Sequence, residues 1–185
     1  MKGLLVICLL AAPAAAAPTG VMDFNLDEKG TSWVLSDDAY SLAFPGKPTV
    51  ELADQPAAGM TIHTMAATFI GNNDVFGFFA VPVPKGVAYD VKAGLKGARD
   101  GALNKIHGSV VSEEDATLAG LKGRHTVGSA TLGGVKFRLD IYVVWDEPHR
   151  TLLGGFTANN EAQPTAADQT FIASFKTNPK GKTPH

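Results

Sequence analysis

Arg124, His125, Arg138, Asp140 and Tyr142 are the residues of this sequence best suited to handling a polar ligand. Arg124 and His125 close the glycine-punctuated run Gly120-Leu121-Lys122-Gly123-Arg124-His125. Arg138, Asp140 and Tyr142 recur every second residue, the spacing that places side chains on one face of a strand. Guanidinium, imidazole and phenol groups around a cleft suit an anion or a peptide. The same residues have a plainer use, because opposite charges on neighbouring strands pair across a sheet. A hydrolase site around Arg124, His125 and Asp140 is a further reading. It requires His125 to reach a carboxylate or hydroxyl by a hydrogen bond.

Other chemistry finds little support. His63, His107, His125, His149 and His185 show no ligand spacing, and neither an H-E-x-x-H nor a D-x-D-x-D-G stretch occurs. No metal and no cofactor are expected. No serine lies in G-x-S-x-G, and Ser129 alternates with Val127 and Thr131 as an ordinary strand residue. No catalytic residue is assigned. Gly181-Lys182-Thr183 lacks the first glycine of a phosphate loop, since position 176 is lysine. The carboxylate runs Asp37-Asp38 and Glu113-Glu114-Asp115 read as a turn and as a solvated strand face.

The elements that would position these groups follow a period of two. In Val135–Trp145, Val135, Phe137, Leu139, Ile141, Val143 and Trp145 share a buried face. Lys136, Arg138, Asp140 and Tyr142 take a wetter one. Gly133-Gly134 joins this strand to Thr126–Leu132, as a primed hairpin turn needs positive φ. Asp146-Glu147-Pro148-His149 turns into a strand over Thr151–Thr157. Thr61–Ile70 and Val75–Val83 form another hairpin, whose second strand Pro82 and Pro84 should end or hold at an edge. Tyr40–Phe44 and Ser109–Ala116 are further strands. Val91, Leu95, Ala98, Ala102 and Ile106 predict an amphipathic helix over Asp90–His107, closed by Gly108. Its Gly94, Gly97 and Gly101 suggest close approach to the sheet. A second helix is expected over Thr165–Phe175. The resulting fold class is α+β: a single antiparallel sheet of hairpins packed by a mid-chain helix and a C-terminal helix.

The amino terminus has the order of a secretory signal peptide. Lys2 is followed by the apolar run Gly3–Ala12 and then by Ala14–Ala17. Cleavage is placed after Ala16, because Pro18 at the following site suits an extended substrate poorly. The expected divisions are a signal peptide over 1–16, an irregular lead-in over 17–30, one domain over 31–176 and a disordered tail over 177–185. Cys8, the only cysteine, leaves with the signal peptide, which removes disulfides and thiol chemistry from the mature chain. Lys2 leaves too, so the formal charge of −2 becomes −3. Such a charge gives no field for nucleic acid, and no other apolar run is long enough to span a membrane. The expected location is periplasmic or secreted.

Tyr40-Ser41-Leu42-Ala43-Phe44-Pro45-Gly46-Lys47-Pro48 and the closing Phe171-Ile172-Ala173-Ser174-Phe175-Lys176 give the mature chain a layout that resembles the PsbP-like and DcrB-like superfamily of exported bacterial proteins. The resemblance implies an antiparallel sheet sandwiched by helices and an accessory or binding role, and it carries no catalytic residues across. The expected function is a non-catalytic binding or accessory protein of the bacterial envelope. Its partner would be an envelope protein or a small ligand. An exported hydrolase with a nonstandard site, or a structural envelope component, is the alternative.

Overall fold

The computed structural model describes residues 24–57 and 60–178. The signal peptide and residues 179–185 of the expected tail lie outside the described residues. Along the chain come β1 (Asn25–Lys29), β2 (Ser32–Ser36), β3 (Tyr40–Phe44), β4 (Thr49–Ala57), β5 (Met60–Ile70) and β6 (Asp74–Pro82). Then follow α1 (Val91–Asn104), β7 (Ser109–Leu118), β8 (Leu121–Leu132), β9 (Val135–Asp146), β10 (Thr151–Asn159), α2 (Ala166–Ala173) and β11 (Lys176–Thr177).

The strands make two antiparallel sheets rather than the single sheet expected. One has the order β1-β2-β3-β11 and the other β4-β5-β6-β10-β9-β8-β7. In the second sheet the polar, largely exposed β1 pairs with β2, whose Leu35 is fully buried, and β2 pairs with β3. Asn25–Lys29 pairs with Ser32–Ser36, so the lead-in is not irregular throughout. At the other end Lys176 and Thr177 pair with Ser41 and Tyr40, and the Asn178 N–H donates to the Ala39 carbonyl at 2.7 Å. The start of the expected tail is therefore strand. Gly133 and Gly134 have φ of 59° and 83°, the primed turn their pairing demands. Pro82 ends β6, which lies inside its sheet between β5 and β10, not at an edge.

Alternation divides the core into two. Leu139, Ile141, Val143 and Trp145 of β9 join Leu152, Phe156, Leu103 and Ile106 beneath α1. On the opposite face Met65, Phe76, Phe78, Val144 and Leu153 pack with Leu42 and Phe44 of the small sheet and with Phe171 of α2. The large sheet is thus covered on both sides. That corrects the wetter face assigned to β9: Asp140 is 5% exposed and Val144 fully buried, because the small sheet lies over that side.

Helix α1 begins where the Asp90 carboxylate accepts from the Ala93 N–H at 3.0 Å. It is closed by His107 in the left-handed region (φ 51°), with the Gly108 N–H on the Leu103 carbonyl at 2.8 Å. Its glycines do not serve close approach to the sheet as a group. A β-carbon on Gly94 would strike the Tyr89 hydroxyl, whereas one on Gly97 or Gly101 would meet nothing within 4 Å. Gly97→Ala should therefore stabilise the protein by about 0.5–1 kcal/mol through helix propensity alone. A thermal midpoint unchanged or lowered in the variant would show that the position is packed after all.

Candidate functional site

Arg124, His125, Arg138, Asp140 and Tyr142 do not form one site. Neighbouring residues of a strand face opposite ways, and β8 sends Arg124 to the α1 side and His125 to the small-sheet side. His125 pairs in register with Tyr142, and Arg124 with Val143. The run Gly120–His125 is also no loose link. Ala119 and Gly120 form a turn with positive φ, and β8 starts at Leu121.

On the small-sheet side, His125, Arg138, Asp140 and Tyr142 do come together. The His125 Nε2 lies 2.9 Å from Asp140 Oδ1, and its Nδ1 lies 3.2 Å from Glu114 Oε1. Arg138 donates from Nε to Asp140 Oδ2 at 2.6 Å and from Nη2 to Oδ1 at 2.9 Å. Tyr142 stacks on the imidazole at 4.3 Å between centroids, with the rings 12° from parallel. The hydrogen bond to Asp140 raises the His125 pKa, against the opposing effect of burial. Burial of Asp140 favours its neutral acid, but the bonds from His125 and Arg138 outweigh it and hold the carboxyl below its usual range. His125 thus meets the geometric condition set for a hydrolase. Yet both ring nitrogens face carboxylates, so the favoured species is an imidazolium with no lone pair to act as a base. The cluster is built as an ion network.

On the α1 side, Arg124 reaches a different structure. A groove of about 1310 Å³ runs between the first half of α1, the β7–β8 hairpin and the end of β9. Leu95 and Trp145 supply apolar surface along it, whereas the Leu121 side chain, on the same strand face as His125, packs toward the small sheet. One wall is stiffened by a chain of ion pairs. Lys96 and Arg99 both hold Asp100, at 2.5 and 2.7 Å. Arg99 reaches Glu113 at 2.6 Å, Glu113 reaches Arg124 at 2.8 Å, and Arg124 reaches Asp115 at 2.5 Å. Although burial opposes it, bonds from Arg124 and Arg99 pull the Glu113 pKa down, so this carboxylate stays charged. Arg99, the link between helix and sheet, was not among the sequence candidates. Its signal was an arginine on the helix opposite an acidic strand, readable only once the two are known to be neighbours.

Among the smaller concavities that the described residues form, two lie elsewhere on the large sheet. One, of about 280 Å³, lies between Gly97 and Gly101 of α1 and the sheet side chains Phe79 and Phe156. The other, of about 340 Å³, sits at the end of the large sheet beside His63 and Arg150. There the Arg150 Nε is buried without a hydrogen-bond partner. An orphaned buried donor costs about 1–3 kcal/mol, more for a charged group. Among the described residues, no group of three or more His, Cys, Asp or Glu is placed to hold a metal ion. No helix among them is long and apolar enough to cross a membrane.

No family model matches this chain, and no curated protein matches it. A solved structure similar to it is a protein of unknown function from Pseudomonas aeruginosa. That protein is 12% identical, with a TM-score of 0.34 over 78% of this chain and 85% of its own.

Proposed function

We propose that this protein is an exported, non-catalytic binding or accessory protein of the bacterial envelope, and that it holds a segment of a partner polypeptide in the groove beside α1. The observation that carries the reading is the groove itself, with apolar Leu95 and Trp145 between walls bearing both signs of charge. Apolar surface supplies binding energy, and fixed charges of both signs select register and orientation rather than a generic anion. The occupied ring nitrogens of His125 favour binding over the hydrolase alternative. The layout resemblance to PsbP-like and DcrB-like proteins fits the same role.

The test is a photo-crosslinking residue in place of Lys122, which is exposed on the groove wall. In the native envelope it should capture a discrete partner, and Leu95→Glu should cut that capture at least about tenfold, the effect of losing roughly 1.4 kcal/mol. Circular dichroism establishes that the variant is folded. Capture indifferent to Leu95→Glu would remove the groove from the binding reaction. Amino-terminal sequencing of the recovered protein should begin at Ala17, and retention of Met1 would contradict export by cleavage.

A further inference from the structure

Helix α1 packs chiefly over β8 and β9, and its far flank stands beside β5 and β6. The 280 Å³ cavity lies in that angle. It shares no lining residue with the groove, which runs along the other side of the helix. A ligand held here is therefore independent of any polypeptide bound in the groove.

Glycines on both the sheet and the helix keep this space open. A β-carbon on Gly77 would strike the Phe156 ring, and one on Gly154 the Phe79 ring. Gly77 faces Phe156, and Gly154 faces Phe79, in the register of β6 against β10. Each ring thus leans across onto the glycine opposite instead of standing up from the sheet, and the two make a low aromatic floor. Above it, β-carbons on Gly97 and Gly101 would meet nothing within 4 Å, so that flank of α1 sends no side chain into the space. Glycine weakens both strands and helices, and inside a strand it often marks close approach by a ligand. Phe79 and Val81 are left only partly buried, with apolar surface that the protein itself does not cover.

The lining also defines what would fit. Ala66, Ala98, Ala102 and Leu152 continue the apolar wall, and Lys105 is the only charged residue in it. The Thr64 hydroxyl already donates to the Ala53 carbonyl at 3.1 Å. A charged group would find few partners here and lose its hydration, which selects an uncharged ligand. An apolar cavity of about 150 Å³ admits benzene, so one of about 280 Å³ holds roughly two fused rings. Aromatic faces attract one another beyond the area they bury, and the floor offers two.

We propose that this cavity binds a small, uncharged, planar apolar molecule, with one face on Phe79 and Phe156 and its edge beneath the Gly97–Gly101 flank of α1. The experiment follows methyl resonances of ¹³C-labelled protein titrated separately with naphthalene and with octan-1-ol. Saturable shifts are expected at Ala98, Ala102 and Val81, with naphthalene binding more tightly because its face meets the rings. Val111, which is 65% exposed and far from this lining, should stay still. Replacing both Gly97 and Gly101 by leucine raises helix propensity and fills the space. That variant should weaken naphthalene binding about tenfold or more. Motionless cavity methyls in the unaltered protein overturn the site, and Val111 moving in step with them reduces the effect to generic adsorption and overturns it equally. Octan-1-ol binding as tightly as naphthalene overturns the planar ligand, and undiminished binding to the folded double variant overturns the helix flank as its roof.

Discussion

Asp140→Ala should lower stability by about 3 kcal/mol near pH 6, read as a fall in the denaturant midpoint at constant slope. The carboxylate is 5% exposed and takes hydrogen bonds from both His125 and Arg138. Its removal leaves a guanidinium and an imidazolium side by side with no anion between them. Their side chains keep 22% and 14% exposure, so water returns to them in part. That places the cost at the lower end of what breaking a buried ion pair entails.

The same pair makes stability depend on pH in a direction that can be worked out. His125 holds its proton to higher pH in the folded chain than in the unfolded one, where its pKa is near 6.5. Its contribution is full below that value and fades as pH rises through the folded pKa. Asp140 is displaced the other way from 3.8, so its contribution is present above that value and fades as pH falls through the folded pKa. Between roughly pH 4 and 6.5 both operate. The unaltered protein should lose stability on going from pH 6 to pH 9, and His125→Gln should flatten that decline. An equal decline in the variant would show that His125 is not its source.

Period-two alternation made β3 and β9 readable, because their apolar residues recur at every second position, whereas β7, largely exposed, and β10, buried throughout, were legible from the turns that bound them. What failed to read was position in space. The β7–β8 turn falls at Ala119-Gly120, and residues mirrored about it pair: Asp115 with Arg124, and Glu114 with His125. Without that turn, Gly120–His125 reads as a loop, and Arg124 falls into one group with His125. The second sheet was hidden for a different reason. β1 is largely exposed, and β11 has two residues, so neither carries a hydrophobic pattern. β1 is held by its pairing with β2, and β11 by β3 from the far end of the chain, Lys176 opposite Ser41. The candidate groove was half legible: its charged residues were visible, but the neighbours that order them come from α1.

Phe171→Ala should be the most damaging single truncation, costing about 3–5 kcal/mol. Helix α2 has eight residues, far too few to persist in water without tertiary contacts. Its capping box joins Thr165 and Asp168, yet a cap contributes only about 1 kcal/mol. The rest of its stability must come from packing, and Phe171 is the apolar side chain it buries most completely, at 2% exposure. The ring meets Phe44 at 5.0 Å and Phe76 at 5.4 Å, so one side chain ties the helix to both sheets. Losing it leaves a cavity between layers that cannot close without moving a strand. The damage should also spread along the chain. Ser174 Oγ accepts from the Ala43 N–H at 2.9 Å, and Phe175 packs on Phe78 at 5.8 Å, both just beyond the helix. Hydrogen exchange should therefore show lost protection at Ala43 and in β11 before any loss in β8 and β9, whose pairing does not involve α2. Uniform loss across all strands would mean that the small sheet and α2 are not a separable unit of stability.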